Sequence, residues 1–264
     1  MSSRGVLDQP APPPDAVLRY GPLPEHVIDV RWPAAATAAP LVVVVHGGYW
    51  REEYDRTHAG PQCVGLAAAG YAVAAIEYRR TGSGNGWDEL SADVAAALEQ
   101  VGGLVAGAAQ QAGMDVDPAR TVLVGHSAGG HLVAWAAATR DLPGVVGAVS
   151  LAGVLDLTLA DDLRLDVGPG GPAVHVLLGG SRVDVPQRYA AADPTRLGPP
   201  AIPVVALHGD ADDVAPLALS ESYCAATGQR LVVLAGTDHF AWIDPQSTAW
   251  PHELAAIDAL ARSP

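Results

Sequence analysis

The segment Gly125-His126-Ser127-Ala128-Gly129-Gly130 sets a serine inside a G-x-S-x-G pattern. An apolar run, Thr121–Gly125, stands before it and a helix-forming stretch, Ala128–Thr139, follows it. A serine in so tight a strand-to-helix turn takes a strained backbone, and its hydroxyl stands clear of the sheet as a nucleophile. Side chains at 125 and 129 would strike the neighbouring strand or helix, which is why both are glycine. The N–H of Ala128, in the first turn of the helix, points at the place where an oxyanion would form. The chemistry implied is acyl transfer through a covalent serine intermediate.

A second glycine pair follows the run Leu41–Val45, in His46-Gly47-Gly48-Tyr49-Trp50. Two glycines let the backbone turn sharply and aim its N–H groups inward, so Gly48 and Tyr49 are the expected oxyanion donors together with Ala128. His46 is expected to tie this loop down by hydrogen bonds. Trp50, His126 and Phe240 are the expected lining of a substrate pocket, with Tyr49 beside them.

Such a serine needs a base and an acid, and in folds built around this turn the chain order is serine, acid, histidine. Five histidines follow Ser127. His131 lies one turn along the nucleophile helix, His175 lies in a Gly- and Pro-rich stretch, His208 ends a strand and opens the acid loop, where a buried, hydrogen-bonded role is expected, and His252 falls within the last helix. His239, in the loop Gly236-Thr237-Asp238-His239-Phe240 after the last strand, is the expected base. Asp212 is the expected acid, at the centre of His208-Gly209-Asp210-Ala211-Asp212-Asp213, with Asp210 and Asp213 as alternatives. Asp210 suits local N–H capping, and Asp213 suits the start of a helix near Pro216.

The elements that must position these groups alternate. Strands are expected at His26–Trp32, Leu41–Val45, Tyr71–Ile76, Thr121–Gly125, Val145–Leu151, Ile202–His208 and Arg230–Ala235. Helices are expected near Thr57–Ala69 and at Asp88–Val101, Ala128–Thr139 and Trp250–Ala261. Short apolar strands between helices imply an α/β domain with a mostly parallel sheet covered on both faces. Active sites in such sheets lie at the carboxyl ends of strands, where every polar cluster here falls. Residues 1–24, rich in proline, are expected to form an extended arm before a single domain over 25–264, with a small cap at about 156–200.

The 264 residues suit one large domain, and 49% hydrophobic residues give it a full core. A net charge of −14 argues against nucleic acid or an anionic membrane as partner, and the acyl-transfer chemistry of the serine points to a small-molecule ester or amide substrate. The N-terminus carries no apolar stretch of signal-peptide length, so a cytoplasmic location is expected. Cys63 and Cys224 make no disulfide framework and read as core residues. No H-E-x-x-H or clustered ligand spacing appears, so neither a metal nor a cofactor is expected.

HGGYW, GHSAGGHL and HGDADDVAP followed by TDHF resemble the bacterial esterases of the α/β-hydrolase superfamily, across residues 26–262. HGGYW with GHSAGGHL is similar to the kynurenine formamidase (arylformamidase) group. HGDADDVAP is similar to the acid loop of general esterases and of prolyl-oligopeptidase-like hydrolases. The resemblance implies an α/β-hydrolase fold and a serine hydrolase cleaving a small carboxylic ester or an N-formyl or aryl amide. A prolyl-oligopeptidase-like peptidase or amidase is the alternative, as is a catalytically idle binding scaffold. The intact serine, acid, histidine and double glycine weigh against the scaffold.

Overall fold

A computed structural model of the chain describes residues 3–34, 37–82, 84–168 and 170–262. Among them eight strands form one sheet: β1 (Ala16–Arg19), β2 (Val27–Arg31), β3 (Ala39–Val45), β4 (Ala72–Ile76), β5 (Val116–His126), β6 (Val145–Leu151), β7 (Val204–Gly209) and β8 (Arg230–Leu234). Their order is β1-β2-β4-β3-β5-β6-β7-β8. The pairs β1/β2 and β2/β4 are antiparallel, and from β4 to β8 all pairs are parallel. This is the mostly parallel sheet expected from the alternation of elements.

The run Leu41–Val45 is buried along its whole length because both faces of the sheet are covered. Successive side chains point to opposite faces, and the two cores divide accordingly. Leu41, Val43 and Val45 join the core made with α2 (Trp87–Ala112) and α3 (Ala128–Thr139), while Val42 and Val44 join the one made with α1 (Gly60–Ala68) and α9 (Trp250–Ala261). The helix α8 (Ala218–Thr227) sends Leu219 and Tyr223 into the first of these cores.

Several stretches hold more regular structure than the sequence reading gave them. The helix expected to end at Val101 runs on through Gly102 and Gly103 to Ala112, because Val94, Val101, Val105 and Ala109 continue one buried stripe. It stops at Gly113, whose φ of 70° is the left-handed conformation that favours glycine. The region expected as a cap holds four short helices, α4 (Leu157–Asp162), α5 (Ala173–Leu178), α6 (Pro186–Ala192) and α7 (Pro194–Leu197). Within the expected extended arm, Ser3–Asp8 coil into a 3₁₀ turn with Val6 buried, and Ala16–Arg19 pair with β2.

Candidate active site

Ser127 sits between β5 and α3 with φ 55° and ψ −117°, a strained conformation for a residue with a side chain. The flanking glycines are required by backbone collisions. A Cβ at Gly125 would lie 2.1 Å from the Gly129 carbonyl oxygen, and one at Gly129 would lie 2.0 Å from that of Val45 in β3. The turn is fastened by the Ser127 N–H donating to Leu151 O at 2.8 Å, while Val154 N and His131 N donate to Ser127 O.

The loop after β3 turns with φ 107° at Gly48, 50° at Tyr49 and 59° at Trp50. Two non-glycine residues in succession in the left-handed region need outside support. Arg51 N donates to Gly48 O, Thr81 N and Oγ1 both donate to Trp50 O, and the Tyr49 hydroxyl donates to Val214 O at 2.7 Å. The backbone N–H groups of Gly48, Tyr49 and Ala128 donate to no carbonyl among the described residues. Below the turn, His46 stacks on Tyr78 at 4.4 Å and pairs with Glu77 at 3.0 Å through Nε2. Burial alone would raise the Glu77 carboxyl, but His46, Arg80 and the Arg56 amide hold it below its ordinary value. His46 therefore anchors the loop, as expected from its position.

The acid loop brings Asp212, not its neighbours, to His239. Asp212 Oδ2 accepts from His239 Nδ1 at 2.7 Å, and Oδ1 accepts from Val214 N at 2.9 Å and Ala215 N at 2.8 Å. His208 Nε2 lies 3.3 Å from the same Oδ2. Burial pushes this carboxyl up, yet the hydrogen bonds from His208 and His239 outweigh burial and hold it well below the usual carboxylate range. Asp210 instead accepts from Gly236 N, and Asp213 lines the adjacent cavity. The expected helix cap by Asp213 does not form, because α8 starts later, with Leu217 as its cap residue.

His239 and Ser127 line one cavity of about 580 Å³, together with His46, Gly47, Gly48, Tyr49 and His126. No hydrogen bond closes between the serine hydroxyl and the imidazole in this conformation; such contacts commonly tighten only around a substrate. His126 faces the cavity and donates from Nε2 to the His239 carbonyl at 2.9 Å. Burial, with His239 beside it, pushes the His126 imidazole down to about 3, so it is neutral and acts as a fixed strut for the histidine loop.

Phe240 lines the cavity with its ring edge-on to His239 at 5.0 Å. Trp50, expected in the pocket, does not line it: the side chain is wholly buried and packs edge-on against His131 at 5.3 Å. In the left-handed turn Tyr49, its neighbour, faces the cavity instead. Of the other histidines that follow Ser127, His131 bonds Ala192 O, His175 pairs with Asp161, and His252 is exposed on α9.

His208 takes the buried, hydrogen-bonded role expected of it, and further contacts were not recognised from sequence. His208, wholly buried, accepts the Ser220 hydroxyl on Nδ1 at 2.7 Å and presents Nε2–H to Ala215 O and Asp212. The Tyr49 hydroxyl ties the glycine loop to the acid loop. Arg4 and Leu7, from the N-terminal turn, line the cavity. The role of His208 was visible beforehand in its strand-end position, whereas the Tyr49 hydroxyl contact and the N-terminal lining were not. Among the described residues no group of three His, Cys, Asp or Glu side chains is arranged to hold a metal, and no helix is long and apolar enough to cross a membrane.

Residues 28–226 match the family described as BD-FAE. The chain is 29% identical over 223 residues to the esterase LipQ of Mycobacterium tuberculosis, covering 78% of this chain and 51% of that protein. It is 32% identical over 196 residues to the probable carboxylic ester hydrolase LipM of the same organism, covering 68% of this chain and 42% of that one. The chain thus spans about half the length of the curated relatives it matches. A truncated carbohydrate esterase from gut microbiota superposes with a TM-score of 0.79 at 21% identity, over 96% of this chain and 99% of that one. With a family match that takes in the serine turn, the glycine loop and the acid loop, and a sheet that superposes over nearly its whole extent, the chain belongs to the BD-FAE family and has an α/β-hydrolase fold.

Proposed function

We propose that this chain hydrolyses small carboxylic esters through an acyl-enzyme on Ser127, with His239 as general base and Asp212 as its orienting acid. The observation that carries this reading is the Asp212 Oδ2 to His239 Nδ1 hydrogen bond of 2.7 Å beside a serine held at φ 55° on the same cavity wall. With Nδ1–H committed to Asp212, the basic nitrogen of His239 is Nε2. His239 Nε2 takes the Ser127 proton as Oγ bonds the substrate carbonyl carbon, and the negative charge moves to the carbonyl oxygen. The N–H groups of Gly48, Tyr49 and Ala128 are the donors for that oxygen, each worth about 3 kcal/mol in the transition state. The imidazolium returns its proton to the departing alkoxide. Water, deprotonated by the same nitrogen, then attacks the acyl carbon and frees Ser127 Oγ.

The names of LipQ and LipM support an ester over an amide as substrate. The test compares kcat/KM for a short-chain p-nitrophenyl ester with that for an N-formyl aryl amide. Preference for the ester is expected. Preference for the formyl amide would replace the substrate assignment and leave the three catalytic residues standing.

A further inference from the structure

Residues 3–8 lie outside the stretch that matches the family, yet they build part of the cavity. The 3₁₀ turn Ser3–Asp8 rests against two other short turns, Arg56–Ala59 and Ala241–Ile243. Val6 is buried in the core behind them, among Ala59 and Ile243, and Leu7 packs on the outside of that cluster. Of the residues that these turns and their neighbours give the cavity, Leu7, Ala59, Phe240 and Ile243 are apolar, and Arg4, His58 and Gln62 are polar.

The turn is also fastened to the histidine loop. Ser3 N donates to Asp238 Oδ2 at 2.7 Å, and the Arg4 guanidinium lies over the Phe240 ring at 5.4 Å. Asp238 in turn caps Phe240 N and Ala241 N through Oδ1. Downstream, the proline stretch is held to the body. Arg31 donates to Pro12 O and Pro13 O, Trp32 N donates to Asp15 Oδ2 at 2.7 Å, and a Cβ at Gly60 would meet Ala11 Cβ at 2.7 Å. A segment anchored at both ends is a wall of fixed position.

We propose that this N-terminal turn is the specificity-determining end wall of the substrate pocket, with Leu7 as the stop for an apolar group on the acyl or alcohol side of the ester. This rests on the ester-hydrolase reading above. An aliphatic or aromatic group entering past Ser127 meets Leu7, Phe240 and Ile243, gains by leaving water there, and is limited in length by Leu7.

The experiment measures kcat/KM for wild type, Leu7→Ala and Leu7→Trp on p-nitrophenyl esters with acyl chains of two to ten carbons, and on alkyl acetates of the same lengths, with Tm recorded for each. In at least one series, Leu7→Ala should raise the long-to-short ratio at least fivefold and Leu7→Trp should lower it at least tenfold. Ratios unchanged in both variants, with all substrates lowered alike or only Tm reduced, would overturn the inference and leave Leu7 a packing residue. Absence of ester turnover by the wild type would instead overturn the ester-hydrolase reading and this inference with it.

Discussion

Asp212 meets His239, His208 and two backbone N–H groups at the residue scale, and these contacts set its ionisation. Because its carboxyl is held below the usual range, the charged form persists as pH falls; this group's contribution to stability is full above the ordinary carboxylate value and is lost as pH falls from there through the lowered one. Removing the His208 donor raises the carboxyl, so the loss moves to higher pH. We expect His208→Gln to cut kcat about 10- to 100-fold with KM little changed, and to move the midpoint of acid unfolding to higher pH; an unmoved midpoint with unchanged kcat would make His208 a packing residue only. Asp212→Asn, which leaves shape but spoils the imidazole tautomer, is expected to cost about 10⁴ in kcat. Residue types told part of this in advance. Gly125 and Gly129 were readable because a backbone collision excludes every other residue. Asp212 was not separable from Asp210 and Asp213 with the same certainty, since three identical carboxylates differ only in loop register. That Trp50 leaves the pocket while Tyr49 stays in it was unreadable, because it follows from two non-glycine residues at positive φ.

Elements long enough to show a period were legible, and short ones were not. The strand Leu41–Val45 and the helix Ala128–Thr139 stood out, whereas α4 to α7, with four to seven residues each, fall below the 11-residue window in which a helical period emerges. The elbow between β5 and α3 makes a sharp test. Gly129→Ala would drive a Cβ into Val45 O, so the variant should lose soluble folded protein or the geometry of Ser127, read by circular dichroism and by turnover together. The helix α9 carries a different signature. Glu253 on it is wholly buried with Gln62 as its hydrogen-bond donor, and burial pushes its carboxyl up to about 8. Between its unfolded value of 4.5 and about 8 the unfolded chain ionises while the native one stays neutral. Stability is therefore full below 4.5 and falls as pH rises, by a few kcal/mol in all. Glu253→Gln should remove that slope, raising Tm by several degrees at pH 8 and little at pH 5. Equal shifts at both values would count against a buried neutral carboxyl.

Over the whole molecule, the acidic balance and the position of the basic side chains do different work. All fifteen basic residues are arginine, and several hold loops around the cavity rather than the surface. Arg51 donates to Asp166 Oδ2 at 2.6 Å and to Asp166 O at 2.9 Å, clamping the segment that contributes Arg164 and Leu165 to the cavity. A planar guanidinium holds two such acceptors in a fixed geometry that a rotating ammonium on a flexible stem does not match, so Arg51→Lys should raise KM with a smaller effect on kcat, seen in steady-state kinetics. Composition disclosed a proline-rich arm but not what it lies against, because proline fixes φ without naming a partner. The chemistry expected of the assembled molecule uses only side chains and N–H groups, so turnover should survive EDTA; a loss restored by a divalent ion would contradict it. The most direct test treats the intact protein with a fluorophosphonate and reads its mass. Ser127 Oγ should displace fluoride from phosphorus once per chain, with the adduct mapped to the peptide holding Ser127 and absent from Ser127→Ala. No adduct on folded, ester-active protein, or an adduct on another residue, would contradict Ser127 as the nucleophile.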